Sequence, residues 1–272
     1  MPSTQPPADM DDGPLAAIER RGLYAVIPNS AAGRALVCVH GGPGDAHDYF
    51  RPHLDALTGR RVVYYDQRGA GRSQAAPADF GLAEHARDLG ELVRALGSAD
   101  VLAFSWGVLV ALAWASANVD AVEKLVLVAP VDPTRYPVDG AAFARAAARP
   151  AVRAVVEALP ADSLERRFAE RVAPVLGDPS AALRLRPVEF RASPDPRAAS
   201  LGFDVPRACA ALRGKAALVI EGELDLVSGR AAHAIAAALA AERVVIPGVG
   251  HAPFAEAPEI FLSAVNEFLA RD

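Results

Sequence analysis

Short apolar runs alternate with helical patterns along most of this chain, beginning near Leu23. The spacing of apolar residues predicts helices over residues 82–96 and 258–269, the first ending at Gly97. Strands that alternate with helices in this way predict a mostly parallel β-sheet flanked by helices. The runs predicted as strands are Leu23–Ile27, Ala35–Val39, Arg61–Tyr65, Asp100–Phe104, Lys124–Ala129, Ala216–Ile220 and Arg243–Ile246.

One region breaks this alternation. Between residues 131 and 209 the strand pattern gives way to helical stretches rich in Ala and Arg and interrupted by prolines. An insertion at this point would lie over the carboxyl ends of the strands, where open α/β sheets bind ligands. We therefore predict a tail at residues 1–22, an α/β core formed by 23–130 and 210–272, and a helical lid at 131–209.

Composition narrows the classes of function. The 272 residues include 52% hydrophobic and 22% charged residues, as expected of a globular protein with a sizeable core. A net charge of -5 disfavours a nucleic-acid partner. We find no signal peptide and no apolar stretch long enough to span a bilayer, so we expect a cytoplasmic protein without a membrane partner. Nothing in the sequence indicates an oligomeric state.

The strongest motif surrounds Ser105, which follows an apolar run and directly precedes an apolar helical pattern. Ala103 and Gly107 flank the serine two positions away on either side, as a sharp strand-to-helix turn requires. Such a turn exposes the serine hydroxyl at the N-terminus of the helix, where backbone N–H groups favour negative charge. A serine that only caps a buried helix would give a similar pattern.

Three glycine-rich segments also follow predicted strands. They are His40-Gly-Gly-Pro-Gly44, Asp66-Gln-Arg-Gly-Ala-Gly-Arg-Ser73 and Gly248-Val-Gly-His251. Glycines after a strand let backbone N–H groups turn toward a ligand without interference from side chains. In this order and spacing, the four motifs resemble the α/β-hydrolase family, and within it the proline-iminopeptidase-like branch. The resemblance covers the predicted core but not the lid.

The resemblance implies a role for several residues. Ser105 would be the nucleophile and His251 the general base, with the backbone N–H groups of Gly42 and Trp106 as the oxyanion hole. His40 would brace the loop that begins with its own motif (residues 40–45, the glycine loop), and Asp66, Arg68 and Arg72 would hold the following turns together. This chemistry requires neither a metal nor an organic cofactor. His47 and His53 lack a third ligand nearby, which disfavours a metal site.

Two residues are candidates for the acid that orients His251. Asp225 follows the strand at 216–220 and resembles the usual acid loop of the family. Asp132 follows the strand at 124–129, where some members of the fold carry the acid. The motif favours Asp225, although Val227 and Ser228 stand where the family often has a proline.

The substrate is less constrained than the chemistry. We expect a small molecule or short peptide whose acyl group contacts Phe143, Phe168 and Phe190 in the lid. Proline-iminopeptidase-like cleavage of a small ester or amide is one hypothesis, with Glu157, Glu165, Glu170 and Glu189 as candidates to bind a free amine. A carboxylesterase, a lactonase and a C–C bond hydrolase are alternatives on the same fold. A non-catalytic ligand-binding protein is an alternative of a different class.

Two other histidines, His85 and His233, fall in helical patterns, and we expect them to be half-buried or on the surface.

Overall fold

The computed structural model describes residues 15–19, 22–28, 33–74, 80–134, 140–191, 199–200 and 202–271. Most of the predicted tail lies outside these residues. A short helix, α1 (Ala16–Glu19), falls within it and buries Ile18 in the core.

Seven strands form one sheet in the order β1-β3-β2-β4-β5-β6-β7. The first strand is antiparallel to β3 and all other neighbours are parallel, which confirms the predicted sheet. The strands are β1 (Ala25–Val26), β2 (Ala35–Val39), β3 (Arg61–Tyr65), β4 (Ala99–Phe104), β5 (Lys124–Val128), β6 (Ala216–Gly222) and β7 (Glu242–Ile246).

Helices cover both faces of the sheet. The helices after α1 are α2 (Leu82–Leu96), α3 (Trp106–Ala117), α4 (Gly140–Ala147), α5 (Pro150–Glu157), α6 (Leu164–Val172), α7 (Val205–Ala211), α8 (Ala231–Leu239), α9 (Pro253–Glu256) and α10 (Pro258–Ala270). Short 3-10 helices are formed by His47–Phe50, His53–Ala56, Val119–Ala121, Ala173–Val175 and Pro179–Arg184. None of the helices in the described part of the chain combines the length and the apolar character that a membrane span requires.

The side chains of alternate residues in each central strand pack into two separate apolar cores. In β2, Val37 and Val39 join the core beneath α2, α3 and α8, whereas Leu36 and Cys38 join the core beneath α10. Strands that are buried on both faces give continuous apolar runs instead of an alternating pattern. This is why the short apolar runs in the sequence predict the strands well.

β2 lies between β3 and β4 in the sheet. The chain places β3 on one side of β2 and then crosses to place β4 on the other side, so β2 is the point where the strand order switches direction. Ligands in open α/β sheets bind at such a switch point, beyond the carboxyl ends of the strands. The glycine loop follows β2 and Ser105 follows β4, so both lie at this place. The region predicted as a lid contributes α4, α5 and α6 between β5 and β6, and Phe168 of α6 packs in the same core as Val128 of β5.

One sequence prediction about the helices is wrong. His85 on α2 is buried, with 2% of its surface exposed, and its ring meets that of Trp106 edge-on at 6.3 Å between centroids. His85 lies on the apolar face of α2 with Leu82 and Leu89, and the packing that buries this face also buries the imidazole. His233 on α8 is exposed, as expected.

Candidate active site

Ser105 occupies the turn between β4 and α3 in a conformation that residues with a side chain rarely adopt. Its φ is 55° and its ψ is -121°, and α3 begins at the next residue. The Ser105 N–H donates to the carbonyl of Val128 on the neighbouring strand, at 2.9 Å, which helps to hold the turn. Strain of this kind persists only where the surrounding structure imposes it, and it is concentrated at functional sites.

The small residue at position 107 allows this turn to form. A Cβ on Gly107 would lie 2.4 Å from the carbonyl oxygen of Val39 and 2.6 Å from that of His40. The first turn of α3 therefore packs directly against the end of β2. Because β2 leads into the glycine loop, this close contact brings that loop next to Ser105.

His251 links Ser105 to a carboxylate. Its Nε2 lies 2.9 Å from Ser105 Oγ, and its Nδ1 lies 2.9 Å from Asp225 Oδ2. The carboxylate accepts the Nδ1–H, so Nε2 is left with a lone pair that can accept the serine proton. The structure thus brings together the three residues predicted to act as nucleophile, base and acid.

The turn that follows β6 fixes the carboxylate of Asp225. Its Oδ1 accepts the backbone N–H groups of Val227 at 2.8 Å and Ser228 at 3.1 Å, and 1% of its side chain is exposed. The alternative acid, Asp132, accepts the N–H and hydroxyl of Thr134 at 2.8 and 2.7 Å in the turn after β5. The structure places Asp225, and not Asp132, against His251.

His40 ties the glycine loop to the turn that follows β3. Its Nδ1–H donates to the carbonyl of Gly41 at 2.7 Å, and its Nε2 accepts the N–H of Gln67 at 2.8 Å. Burial of the ring lowers the pKa of His40, which keeps the imidazole neutral. These contacts fit the bracing role that the resemblance implied.

The glycine loop faces the nucleophile. Gly42 lines the same cavity as Ser105 and has a φ of 112°, which favours glycine, while Trp106 follows Ser105 as the first residue of α3. The N–H of Gly41 donates to the hydroxyl of Tyr49. This contact anchors the residue that precedes Gly42, and nothing in the motif predicted it.

A cavity of about 450 Å³ opens above Ser105 and His251. The three phenylalanines predicted to contact substrate, Phe143, Phe168 and Phe190, all lie on its wall. Its surface is largely apolar, as that of small-molecule sites usually is. Other apolar residues on the wall include Tyr49, Phe104, Val172, Val175, Leu176 and Phe254.

An ion pair interrupts this apolar wall. Arg171 Nη1 on α6 lies 2.5 Å from Asp45 Oδ1 in the glycine loop, and the guanidinium lies 5.5 Å and 5.0 Å from the ring centroids of Phe168 and Phe190. No sequence pattern indicated this pair, because its members are far apart in the chain. The four glutamates proposed as amine ligands are instead exposed and do not line the cavity.

In the part of the chain that the structure describes, His47, Asp48 and Asp66 form a group whose side chains are of metal-binding types. Both carboxylates of this group already have a cationic partner in Arg72, whose guanidinium lies 2.8 Å from Asp48 and 3.3 Å from Asp66. Burial of Asp66 raises the pKa of its carboxyl, but hydrogen bonds from His47 and from the Arg72 N–H outweigh burial and hold that pKa well below its usual range. These contacts fit the structural role expected of Asp66 and Arg72.

Arg68 pairs in the same manner with Asp88 on α2, through Nε at 2.7 Å and Nη2 at 2.6 Å. A bidentate pair of this kind fixes the turn after β3 against the helix.

Comparison with known protein families gives one match over most of the chain. The model of the alpha/beta hydrolase family matches residues 36–264. Curated relatives match over a shorter stretch. A proline iminopeptidase of Lactiplantibacillus plantarum is 39% identical over 98 residues, which are 33% of this chain and 33% of that protein. One of Clostridioides difficile is 37% identical over 91 residues, 31% of each chain. The matched segments thus span about a third of these two relatives.

Two solved structures are similar over nearly the whole chain. A proline iminopeptidase-related protein of Thermus thermophilus is 30% identical, with a TM-score of 0.66 over 91% of this chain and 93% of that one. A thermophilic esterase of Thermogutta terrifontis is 26% identical, with a TM-score of 0.64 over 91% of this chain and 92% of that one.

Proposed function

The chain belongs to the alpha/beta hydrolase family, is proline-iminopeptidase-like and is a hydrolase, and from this premise we propose that it is a serine hydrolase that forms an acyl-enzyme on Ser105. The observation that carries the proposal is the line of contacts from Ser105 Oγ to His251 Nε2 and from His251 Nδ1 to Asp225. A serine hydroxyl is a poor nucleophile until a neighbouring base accepts its proton, and this line supplies that base.

The proposed reaction has two halves. His251 Nε2 takes the proton from Ser105 Oγ as the oxygen attacks the substrate carbonyl, and the N–H groups of Trp106 and Gly42 stabilise the oxyanion. The protonated His251 then gives its proton to the leaving alcohol or amine, and an ester bond to Ser105 remains. Water, activated by the same imidazole, attacks this ester, releases the acid and restores the serine. Loss of one oxyanion donor costs about 3 kcal/mol of transition-state stabilisation.

The cavity supports a small, mostly apolar acyl group as the substrate. Phe143, Phe168 and Phe190 can surround such a group, and the Asp45–Arg171 pair leaves little net charge on the wall. A short-chain ester suits this surface because it brings no charge that must be buried. The similarity to a solved esterase over most of the chain also supports this substrate class.

An aminopeptidase is the second candidate function, because the curated relatives are proline iminopeptidases. A substrate with a free N-terminal amine needs a carboxylate beside the ammonium. Asp45 lines the cavity and could provide it, but its carboxylate already pairs with Arg171. We therefore place ester hydrolysis ahead of removal of N-terminal proline.

A fluorophosphonate probe tests the proposal. We expect it to label Ser105 in the parent and to leave Ser105→Ala unlabelled, with the far-UV circular dichroism of the variant unchanged. Ser116→Ala is the matched control, since this serine lies on α3 and its hydroxyl donates to the Ala113 carbonyl of its own helix, at 3.4 Å. Labelling that persists in Ser105→Ala would contradict the proposal. An unlabelled parent would favour the non-catalytic binding protein.

A further inference from the structure

The side-chain carboxylate of Glu256, five residues after His251, accepts hydrogen bonds from four backbone N–H groups. The donors are Gly250 and Ala252, which flank His251, and Gly177 and Asp178, which follow the 3-10 helix at 173–175. Their distances to the carboxylate oxygens are 3.0 Å for Gly250, 3.1 Å for Ala252, 2.7 Å for Gly177 and 3.1 Å for Asp178. A negatively charged acceptor makes hydrogen bonds of this kind stronger than bonds between neutral groups.

These contacts fix the backbone of His251 from both sides. The N–H groups of Gly250 and Ala252 point to Glu256, and the N–H of His251 itself donates to the carbonyl of Val175 at 3.0 Å. Three consecutive peptide groups therefore have definite acceptors in a loop that lies outside the sheet. One side chain and one carbonyl, both outside the Ser–His–Asp line, therefore hold the backbone at His251.

The same carboxylate joins the histidine loop to the wall of the cavity. Val175 and Leu176 line the cavity, and Gly177 follows them directly. A Cβ on Gly250 would lie 2.4 Å from the nitrogen of Gly177, and a Cβ on Gly177 would lie 2.2 Å from the carbonyl oxygen of Gly248. The two backbones are thus in direct contact, and Glu256 bonds to both of them at this point.

We propose that Glu256 is a positioning residue: it holds His251 at hydrogen-bonding distance from Ser105 Oγ and keeps the 175–178 segment in register with it. This role rests on the proposed function, in which His251 is the base. Displacement of a catalytic group by about 1 Å can reduce the rate on the order of 100-fold. We expect the effect to fall mainly on turnover, because Glu256 itself is not among the residues that line the cavity.

The test compares Glu256→Ala and Glu256→Gln with Glu259→Gln. Gln keeps one acceptor oxygen and loses the charge, whereas Ala removes every acceptor. Glu259 is exposed in the first turn of α10 and serves as the control. Burst and steady-state hydrolysis of a short-chain nitrophenyl ester give kcat and KM. The rate of fluorophosphonate labelling of Ser105, taken per folded molecule, reports the reactivity of the serine directly.

We expect Glu256→Ala to lower kcat and the labelling rate by about 100-fold, while KM changes by less than about threefold. Glu256→Gln should recover part of the loss, to about tenfold below the parent, and Glu259→Gln should match the parent. If Glu256→Ala does not fold, Glu256→Gln alone tests the positioning role.

A labelled parent whose folded Glu256 variants react at the parental rate overturns the positioning role only. So does a change confined to KM. A parent that is not labelled overturns the proposed function, and the positioning role with it.

Discussion

The side chain of Asp225 has a task that a neutral amide cannot perform. Its carboxylate accepts the Nδ1–H of His251 on one side and two backbone N–H groups on the other. An amide in its place could turn its NH₂ group toward Nδ1, which would stabilise the tautomer that carries the proton on Nε2. That tautomer cannot accept the proton of Ser105.

We therefore expect Asp225→Asn to lower kcat for a nitrophenyl ester by about 10⁴-fold with little change in stability. Asp132→Asn is the matched control: it removes the same charge from a turn after the neighbouring strand, and we expect it to retain activity within about twofold. Steady-state kinetics on both variants check this expectation. The opposite ranking would assign the acid to Asp132.

The candidate catalytic residues could be found in the sequence, whereas the residues that hold them or the cavity wall in place could not. Ser105 and His251 stand in short motifs with a defined local geometry, so spacing was sufficient. The choice between Asp225 and Asp132 depends on which turn reaches His251, and only the folded sheet decides that. Glu256 and Asp45 act through contacts with segments 78 and 126 residues away, such as Asp178 and Arg171, and no local pattern records such contacts.

At the scale of elements, the strands were predicted more accurately than the insertion. The runs at 35–39 and 61–65 agree with β2 and β3 residue for residue, because both faces of each strand are covered by the rest of the fold. Each apolar run ends at a polar residue that is itself buried, His40 after β2 and Asp66 after β3. Between residues 131 and 209 the sequence indicated helices without their bounds. Helix α6 has only two buried residues, Phe168 and Ala169, so its apolar signal is weak.

The contact between α6 and the glycine loop gives a prediction about substrate choice. Arg171 of α6 neutralises Asp45, the carboxylate on the cavity wall that could bind an amine. We expect short-chain nitrophenyl esters to be better substrates than Pro-arylamide. Where Pro-arylamide is cleaved, Asp45→Asn should raise its KM by about tenfold, a loss of about 1.4 kcal/mol of binding. The KM for esters should stay unchanged, because an ester carries no ammonium that needs the carboxylate.

Kinetics on both substrates with the parent and Asp45→Asn provide the measurement. Glu165→Gln is the control, since this residue is exposed on the same helix, α6. A KM that rises equally for ester and arylamide would indicate that Asp45 only holds α6 in place. The aminopeptidase hypothesis would then lose the one carboxylate identified for it on the described wall.

For the whole molecule, a buried histidine contributes to the response of stability to acid. His85 has 2% of its surface exposed, and burial, with a smaller contribution from the positive charge of Arg68, lowers its pKa to about 3. In the unfolded chain a histidine has a pKa of about 6.5. Between these values the unfolded state binds a proton that the folded state does not, so the free energy of unfolding falls as the pH falls. Asp66, whose pKa is lowered in the folded state, stabilises the fold above its unfolded pKa of about 3.9 and does not alter this window.

We expect His85 to remove about 2 kcal/mol from the free energy of unfolding between pH 7 and pH 5, at about 1.4 kcal/mol for each pH unit below 6.5. His85→Leu keeps an apolar contact with Trp106 and has no group that titrates, so its stability should fall by about 2 kcal/mol less over the same range. His233→Leu is the control, because His233 is exposed on α8 and its loss should leave the pH dependence as it is in the parent. Urea unfolding of the three proteins at pH 7, 6 and 5 provides the measurement. If His85→Leu and the parent lose the same stability over this range, then His85 takes up its proton within the folded protein, and the buried neutral imidazole is not what makes the fold sensitive to acid.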